Sequence, residues 1–346
     1  MGGHNENSAG AWLLQPDPPQ GIPTSELIDQ AIDRLYLTGA LRAAVELGLW
    51  QKIDSGMDTA EKIAVQEGWD LVGTRTLLEA VCALELLTKE GDRYVLVPES
   101  AYYLIPGKPT YKGSLLLNEI NWDGNGRLAQ AVRSGKRPIH YDATSSEVVN
   151  TWIADYSRSW VYPESYLETA EKLWQSLGVQ AREGLRVLDV ACGPAPYSLA
   201  LARKNSGVTL TWNDRAEILQ TAGKAAASLG LSNQVESLPG DMWAVDFVSR
   251  VYELAYLGNV THFFSAEQNT RLFRKVQAAL APGGMLVVNS MVRREKSNAV
   301  WADLWLYAAT ASGRAYNFSD YRTMLEEAGF TNVEDIDQGP IKAIKL

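Results

Sequence analysis

Three aspartates and one histidine in the second half of the chain have the side chains and spacing to hold a nucleotide and act on a molecule beside it. Asp189 sits in the apolar run Val187-Leu188-Asp189-Val190, directly before the small-residue stretch Ala191-Cys192-Gly193-Pro194-Ala195. Asp214 closes the next apolar run, 25 positions further on. A carboxylate placed there can accept hydrogen bonds from both hydroxyls of a ribose. Asp241 follows a third run within Gly240-Asp241-Met242-Trp243. It offers an acceptor for an exocyclic amine, and its neighbours offer flat apolar cover. Of the three histidines, His4 lies in a polar opening and His140 in a charged connector. Only His262 follows a strand-like run at the expected ligand edge, where an imidazole can take up a proton.

These positions imply a particular scaffold. Residues 185–197 read as a buried parallel strand turning sharply into a helix, the place where open α/β sheets bind nucleotides. Further strands are expected at Val208–Trp212, from Val235, at Leu254–Val260 and at Met285–Asn289. A helix over roughly 266–280 is expected to stop at Pro282-Gly283-Gly284. A nicotinamide-binding unit would need G-x-G-x-x-G at the first turn, and only Gly193 is present there.

The series resembles a class I S-adenosylmethionine methyltransferase. The segments Asn259-Val-Thr-His262-Phe-Phe, Leu280-Ala-Pro-Gly-Gly and Met324-Leu-Glu-Glu-Ala-Gly-Phe330 are similar to those of the plant-type and bacterial small-molecule O-methyltransferases. That resemblance implies an α/β, Rossmann-like cofactor domain preceded by a helical winged-helix dimerisation domain. It implies that Asp189, Ala191 and Gly193 hold the methionine part of the cofactor, and Asp214 with Arg215 the ribose. Asp241, Met242 and Trp243 would hold adenine, with Asn259 completing the site. His262 would be the general base. Tyr156 and Trp160 on one side, and Phe263, Trp305, Leu306 and Thr310 on the other, would enclose the acceptor.

The chain departs from the pattern in ways that bear on chemistry. Ala191 and Ala195 stand where glycines are usual, and Ala195 is expected to add a methyl group near the cofactor. Phe263 replaces an aspartate after the histidine. Ser290 and Ala315 occupy the positions of two glutamates, and Gly258 that of a lysine. Without a neighbouring carboxylate an imidazole loses its orienting partner, leaving either a weak base suited to an acidic phenol or enol, or a hydrogen-bond donor.

The remaining sequence sets the organisation. Residues 1–23 are expected to be a flexible tail and 24–109 a winged-helix dimerisation domain. Residues 110–180 would be a helical, aromatic connector with Trp152, Tyr156 and Trp160 on one face, and 181–346 the cofactor domain. In the first unit Leu27, Ala31, Leu35 and Ala40 mark one helix, and Ala43–Trp50 begin a second. A third helix is expected over Val72–Leu87, then a hairpin turning at Glu90-Gly-Asp-Arg. A winged helix also suits a DNA reader, but this third helix carries only Arg75 before Lys89.

The 346 residues, 46% hydrophobic and with a net charge of −9, suit a globular protein rather than a binder of nucleic acid or anionic membranes. Two cysteines and the lack of a long apolar run point to a reducing cytoplasm. No spaced His/Cys set suggests a metal. Methyl transfer to oxygen or carbon of a hydrophobic small molecule is the leading expectation, from a homodimer. The alternatives are non-methylating chemistry in the same fold (hydroxylase, decarboxylase or pericyclase) and a winged-helix, ligand-sensing regulator.

Overall fold

The computed structural model describes residues 24–108, 110–113, 116–117, 119–137, 164–247, 251–294, 299–336 and 339–346. Tyr156, Trp160, Trp152, His4 and His140 lie outside the described residues. The chain divides into two compact units, 1–106 and 107–346.

The first unit begins with helix α1, Glu26–Glu46. It is one element rather than two, because no proline interrupts it and the first left-handed glycine is Gly48, at φ +64. Only Ala44 and Val45 of α1 are buried. Leu27, Ile28, Ile32, Leu35 and Tyr36 are exposed, Leu27 by 81%. Helices α2 (Leu49–Asp54), α3 (Ala60–Glu67) and α4 (Leu71–Ala83) follow. Thr59 caps α3, its hydroxyl accepting from the Lys62 N–H at 3.2 Å. The preceding Asp58 instead ties α3 to the wing: Lys62 Nζ lies 2.6 Å and Arg93 Nε 2.5 Å from its carboxylate. These two cations hold the Asp58 carboxyl down at about 2.

Helix α4 ends four residues earlier than its apolar pattern suggests. Glu85 turns left-handed at φ +60, and Leu87 already starts a strand. The hairpin pairs β1 (Leu87–Glu90) with β2 (Arg93–Leu96) across Gly91-Asp92, and helix α5 (Pro98–Tyr103) follows. Arg75 is engaged by Glu61, so the cation of α4 is already neutralised.

In the second unit, helices α6 (Glu119–Gly126), α7 (Leu128–Ser134) and α8 (Glu164–Ser176) precede the sheet. Its seven strands are β3 (Arg186–Val190), β4 (Thr209–Asp214), β5 (Val235–Pro239), β6 (Tyr252–Gly258), β7 (Leu280–Asn289), β8 (Phe330–Asp335) and β9 (Ile341–Lys345). Their spatial order is β5-β4-β3-β6-β7-β9-β8. All pairings are parallel except those of β9, which runs against both β7 and β8.

Helices α9 (Pro196–Lys204), α10 (Ala216–Ser228), α11 (Ala266–Ala279), α12 (Ala299–Ala309) and α13 (Phe318–Glu327) complete the unit. Alternate strand residues feed two cores. Val187, Trp212 and Leu254 pack with Trp174 and Leu199 on one face. Leu188, Val190 and Leu257 pack with Leu272, Phe273 and Leu325 on the other.

Pro282-Gly-Gly does not separate helix from strand. It lies in an irregular stretch of β7, between the pairs Tyr252↔Leu280 and Leu254↔Met285. The extra residues on the β7 side are accommodated as a bulge, where glycine and proline are tolerated.

Candidate active site

The sheet order lines up the chemistry along its carboxyl edge. Asp241 follows β5, Asp214 ends β4, the Ala191–Ala195 turn follows β3, Asn259 follows β6 and Ser290 follows β7. A cleft opens along this edge. Asp189, Ala191, Gly193, Asp214 and Arg215 line it, as do Asp241, Met242, Trp243 and Asn259.

The turn after β3 is held in a shape that favours glycine. Ala191, Gly193 and Ala195 have φ of +51, +57 and +58, although left-handed backbone costs an L-residue about 1–2 kcal/mol. The conformation is imposed from outside: Cys192 N–H donates to the Asn213 carbonyl at 3.1 Å, and Gly193 N–H to Asp214 Oδ2 at 2.9 Å. Ala195 is fully buried in the core with Leu199 and does not line the cleft. Its methyl group is packed into protein, so it leaves the cleft open.

Asp214 accepts from two backbone donors, Gly193 N–H and, at 2.8 Å, Arg215 N–H. Burial pushes its carboxyl up, and those donors oppose the shift. Asp241 accepts from Trp243 N–H at 2.9 Å and pairs with Arg215 Nη2 at 3.1 Å. Beside it Trp243 stands edge-on to Phe264, 5.1 Å between centroids.

Asn213 donates to the carbonyls of Leu238 and Gly240, yet its buried Oδ1 has no protein partner. An unsatisfied acceptor on a cleft wall fits a ligand that brings a donor. Together with the two strand-end carboxylates and the flat apolar group at one end, it fits an adenosine.

Asp189 occupies the floor of the other end. It is 2% exposed and accepts one hydrogen bond, from Ser198 Oγ at 2.6 Å. Trp212 Nε1 donates in turn to Ser198 at 3.0 Å. Desolvation pushes the Asp189 carboxyl to about 7, and the Asp214 charge adds to the shift. A cation in the cleft would ionise it fully.

Three tyrosines to which the sequence pattern assigned no site role, Tyr166 being only one of the connector's aromatic residues, share this end: Tyr166 from α8, Tyr197 from α9 and Tyr256 from β6. Tyr256 accounts for Gly258. A Cβ at position 258 would fall 2.6 Å from the Tyr256 ring, so ring and side chain cannot coexist there. Strand periodicity could have signalled it: Tyr256 is the registered neighbour of Asp189 across the β3–β6 pair.

His262 lies in the turn Thr261–Phe263, 2% exposed. Its Nδ1 is 3.0 Å from Ser290 Oγ. Ser290 continues to the Tyr321 hydroxyl, which is 2.7 Å from Thr261 Oγ1. This is a chain of neutral hydroxyls. Burial without a countercharge drives the imidazole down to about 3, leaving it neutral.

Phe263 lines the cleft and meets Trp305 edge-on at 6.3 Å. Leu306 and Thr310 are buried at the end of α12, where Thr310 Oγ1 donates to the Leu306 carbonyl at 2.5 Å. Neither lines the cleft. Arg137 closes that helix end, its Nη1 reaching the carbonyls of Leu306, Gly313 and Thr310 at 2.8, 3.1 and 3.3 Å. Gly313 is required there, since a Cβ would fall 2.7 Å from the His262 carbonyl oxygen. Ala315 is buried, its N–H donating to Asp303 at 2.9 Å. No group of acidic, histidine or cysteine side chains among the described residues could hold a metal ion.

Comparison with known proteins matches residues 187–284 to the methyltransferase domain family and residues 30–106 to the O-methyltransferase dimerisation domain family. Among curated proteins, the 3-hydroxy-5-methyl-1-naphthoate 3-O-methyltransferase of Streptomyces sahachiroi is 26% identical over 92% of this chain and 93% of its own. The L-tyrosine C(3)-methyltransferase of Streptomyces lavendulae is 27% identical over 91% and 90%. Among solved structures, human N-acetylserotonin methyltransferase in complex with S-adenosylmethionine has the same fold. Its TM-score is 0.70 at 20% identity, over 95% of this chain and 99% of that one. The two matched domains, in this order and on this sheet, place the chain in the plant-type and bacterial family of small-molecule O-methyltransferases, enzymes that depend on S-adenosylmethionine.

Proposed function

We propose that this enzyme methylates a hydroxyl oxygen of a hydrophobic, aromatic small molecule. The observation that carries the reading is the row of Asp241, Asp214 and Asp189 along adjacent strand ends of one cleft, with Phe263 and Phe264 on its wall and His262 buried between Thr261 and Phe263. S-adenosylmethionine supplies an electrophilic methyl group when bound. Asp214 would accept from the ribose hydroxyls and Asp241 from the adenine amine, with Arg215, Met242 and Trp243 around them. Ala191 and Gly193 bring backbone close to the methionyl part, and Asp189 supplies negative charge beneath it. Asn259 borders the acceptor side.

His262, fixed through Nδ1 by Ser290, keeps Nε2 for the acceptor's hydroxyl proton. Phe263 supplies an aromatic wall with Trp305 edge-on against it, while Leu306 and Thr310 pack at the end of α12 behind them. The naphthoate hydroxyl named for the Streptomyces sahachiroi relative is an acceptor of this class. The test is incubation with methyl-labelled cofactor and a panel of hydroxylated naphthoates and other phenols. Label should pass into at least one aromatic ether. Tight cofactor binding with label in none of them would reject the reading.

We further infer a homodimer formed through α1, supported by its exposed Leu27, Ile32 and Leu35 face. Replacing Ile32 and Leu35 with Asp should give a monomer in sedimentation velocity at concentrations where the parent sediments as a dimer. A dimer of unchanged stability would remove α1 from the interface. No helix among the described residues is long and apolar enough to cross a membrane. The free thiols of Cys82 and Cys192 suit a reducing cytoplasm.

A further inference from the structure

The end of the cleft around Asp189 is aromatic in a way that adenosine does not explain. Tyr197 and Tyr256 are stacked, 5.1 Å between centroids at 23°. Tyr166 stands edge-on to Tyr197 at 5.6 Å. Behind them Trp174, fully buried, meets Tyr256 at 5.4 Å and Tyr197 at 6.4 Å. Its indole N–H donates to the Tyr197 carbonyl at 2.6 Å. The hydroxyls are tied as well: Tyr256 accepts from Asn289 Nδ2 at 2.9 Å, and Tyr166 bonds with Tyr197 and Asn259. The rings are therefore fixed before any ligand arrives.

Two further features point to a cation. Asp189 is buried and Asp214 half-buried, and each lines this cleft without a basic side chain hydrogen-bonded to it. Burial raises both carboxyl groups, with the Arg215 charge opposing the shift at Asp214 and no cation opposing it at Asp189. The faces of aromatic rings carry negative quadrupole density and attract a desolvated cation, where an aliphatic wall would only strip its water. Asp189 and Tyr256 are registered neighbours on one sheet face, so carboxylate and rings act on the same volume.

We propose that Tyr166, Tyr197 and Tyr256 form a preorganised wall for the cofactor's sulfonium, so that the protein distinguishes S-adenosylmethionine from its neutral thioether product. The inference rests on the cofactor assignment and adds a discrimination between reactant and product. It also gives product release a physical basis: once the methyl group has left, the positive charge that the wall attracts is gone.

Calorimetry on the full chain with S-adenosylmethionine and S-adenosylhomocysteine tests it without an acceptor. A desolvated cation–π contact of about 1–2 kcal/mol corresponds to about 5–30-fold in affinity. Tyr197→Leu and Tyr256→Leu should each weaken S-adenosylmethionine by about 10-fold and S-adenosylhomocysteine by less than about 2-fold. Tyr197→Phe and Tyr256→Phe, which keep the faces, should stay within about 2-fold for both ligands.

Each variant's affinity for the thioether controls for damage to the fold. Equal losses for the two ligands, or Phe variants as weak as Leu variants, would overturn the proposal. Failure of the parent protein to bind either ligand would overturn the cofactor assignment itself.

Discussion

Asp214→Ala weakens S-adenosylmethionine binding by two orders of magnitude or more while the protein remains folded. That is the expected result because one carboxylate has two duties. It accepts from Gly193 N–H and Arg215 N–H, at 2.9 and 2.8 Å, and so holds the left-handed turn after β3 against its own strain. It also offers its remaining lone pairs to the ribose. Hydrogen bonds to a charged group contribute about 1.5–3 kcal/mol each, so losing two costs about 100-fold or more in affinity.

Asp214→Asn keeps the shape and one acceptor oxygen, and should fall between parent and Ala variant. Titration calorimetry gives the affinities, and a thermal melt of the free protein separates lost binding from lost fold. An Ala variant binding within about threefold of the parent would take Asp214 out of the cofactor site.

His262→Ala should reduce methyl transfer to an aromatic hydroxyl by about 10²-fold, the lower range for a positioned acid–base group, with cofactor affinity unchanged. The pH dependence is the sharper test. Burial holds the imidazole down to about 3, so a kcat/KM profile between pH 5 and 8 should show no limb from this histidine. Any rise with pH then belongs to the acceptor hydroxyl.

Ser290→Asp places a carboxylate next to Nδ1, favours the charged imidazole and should bring a histidine limb into that range. A profile unchanged by Ser290→Asp, together with full activity of His262→Ala, would remove the residue from the chemistry. Stability follows the same sign. Between about pH 6.5 and 3 the unfolded chain binds a proton that the folded chain refuses. This residue therefore makes the protein less stable as pH falls through that window.

The acids were legible in the sequence because each lies at or just beyond the carboxyl end of an apolar run, Asp189 one residue before its last, and strand ends on one sheet edge must come together. Their partners were not. Nothing in the spacing pairs Gly193 with Asp214, or His262 with Ser290, since those contacts depend on strand order. Local pattern misplaced elements where a breaker was absorbed: Pro282-Gly-Gly sits inside β7 as a bulge, and Leu84–Leu87 leave α4 through a left-handed Glu85.

The expectation that Ala195 crowds the cofactor followed from treating the loop as a row of equivalent positions. Ala191, Cys192, Gly193 and Pro194 all line the cleft, whereas Ala195, the last residue before α9, turns into the core. Gly258 read as a lost lysine, whereas its neighbour Tyr256 accounts for it. Aromatic residues on a buried strand look like core until their register beside a carboxylate is known.

The position of β9 between β7 and β8 sets an order of assembly as the chain leaves the ribosome. Residues 330–335 emerge before 341–345, yet β8 has no hydrogen-bonding neighbour until β9 has docked on β7. Until then the edge of β7 stays open, and Phe330, Val333, Ile341 and Ala343 are outside the core that later buries them. The nascent enzyme must therefore carry a nearly complete cofactor cleft on an unfinished sheet. In that interval a cofactor already bound, or a chaperone on the open edge, would act on folding rather than on catalysis.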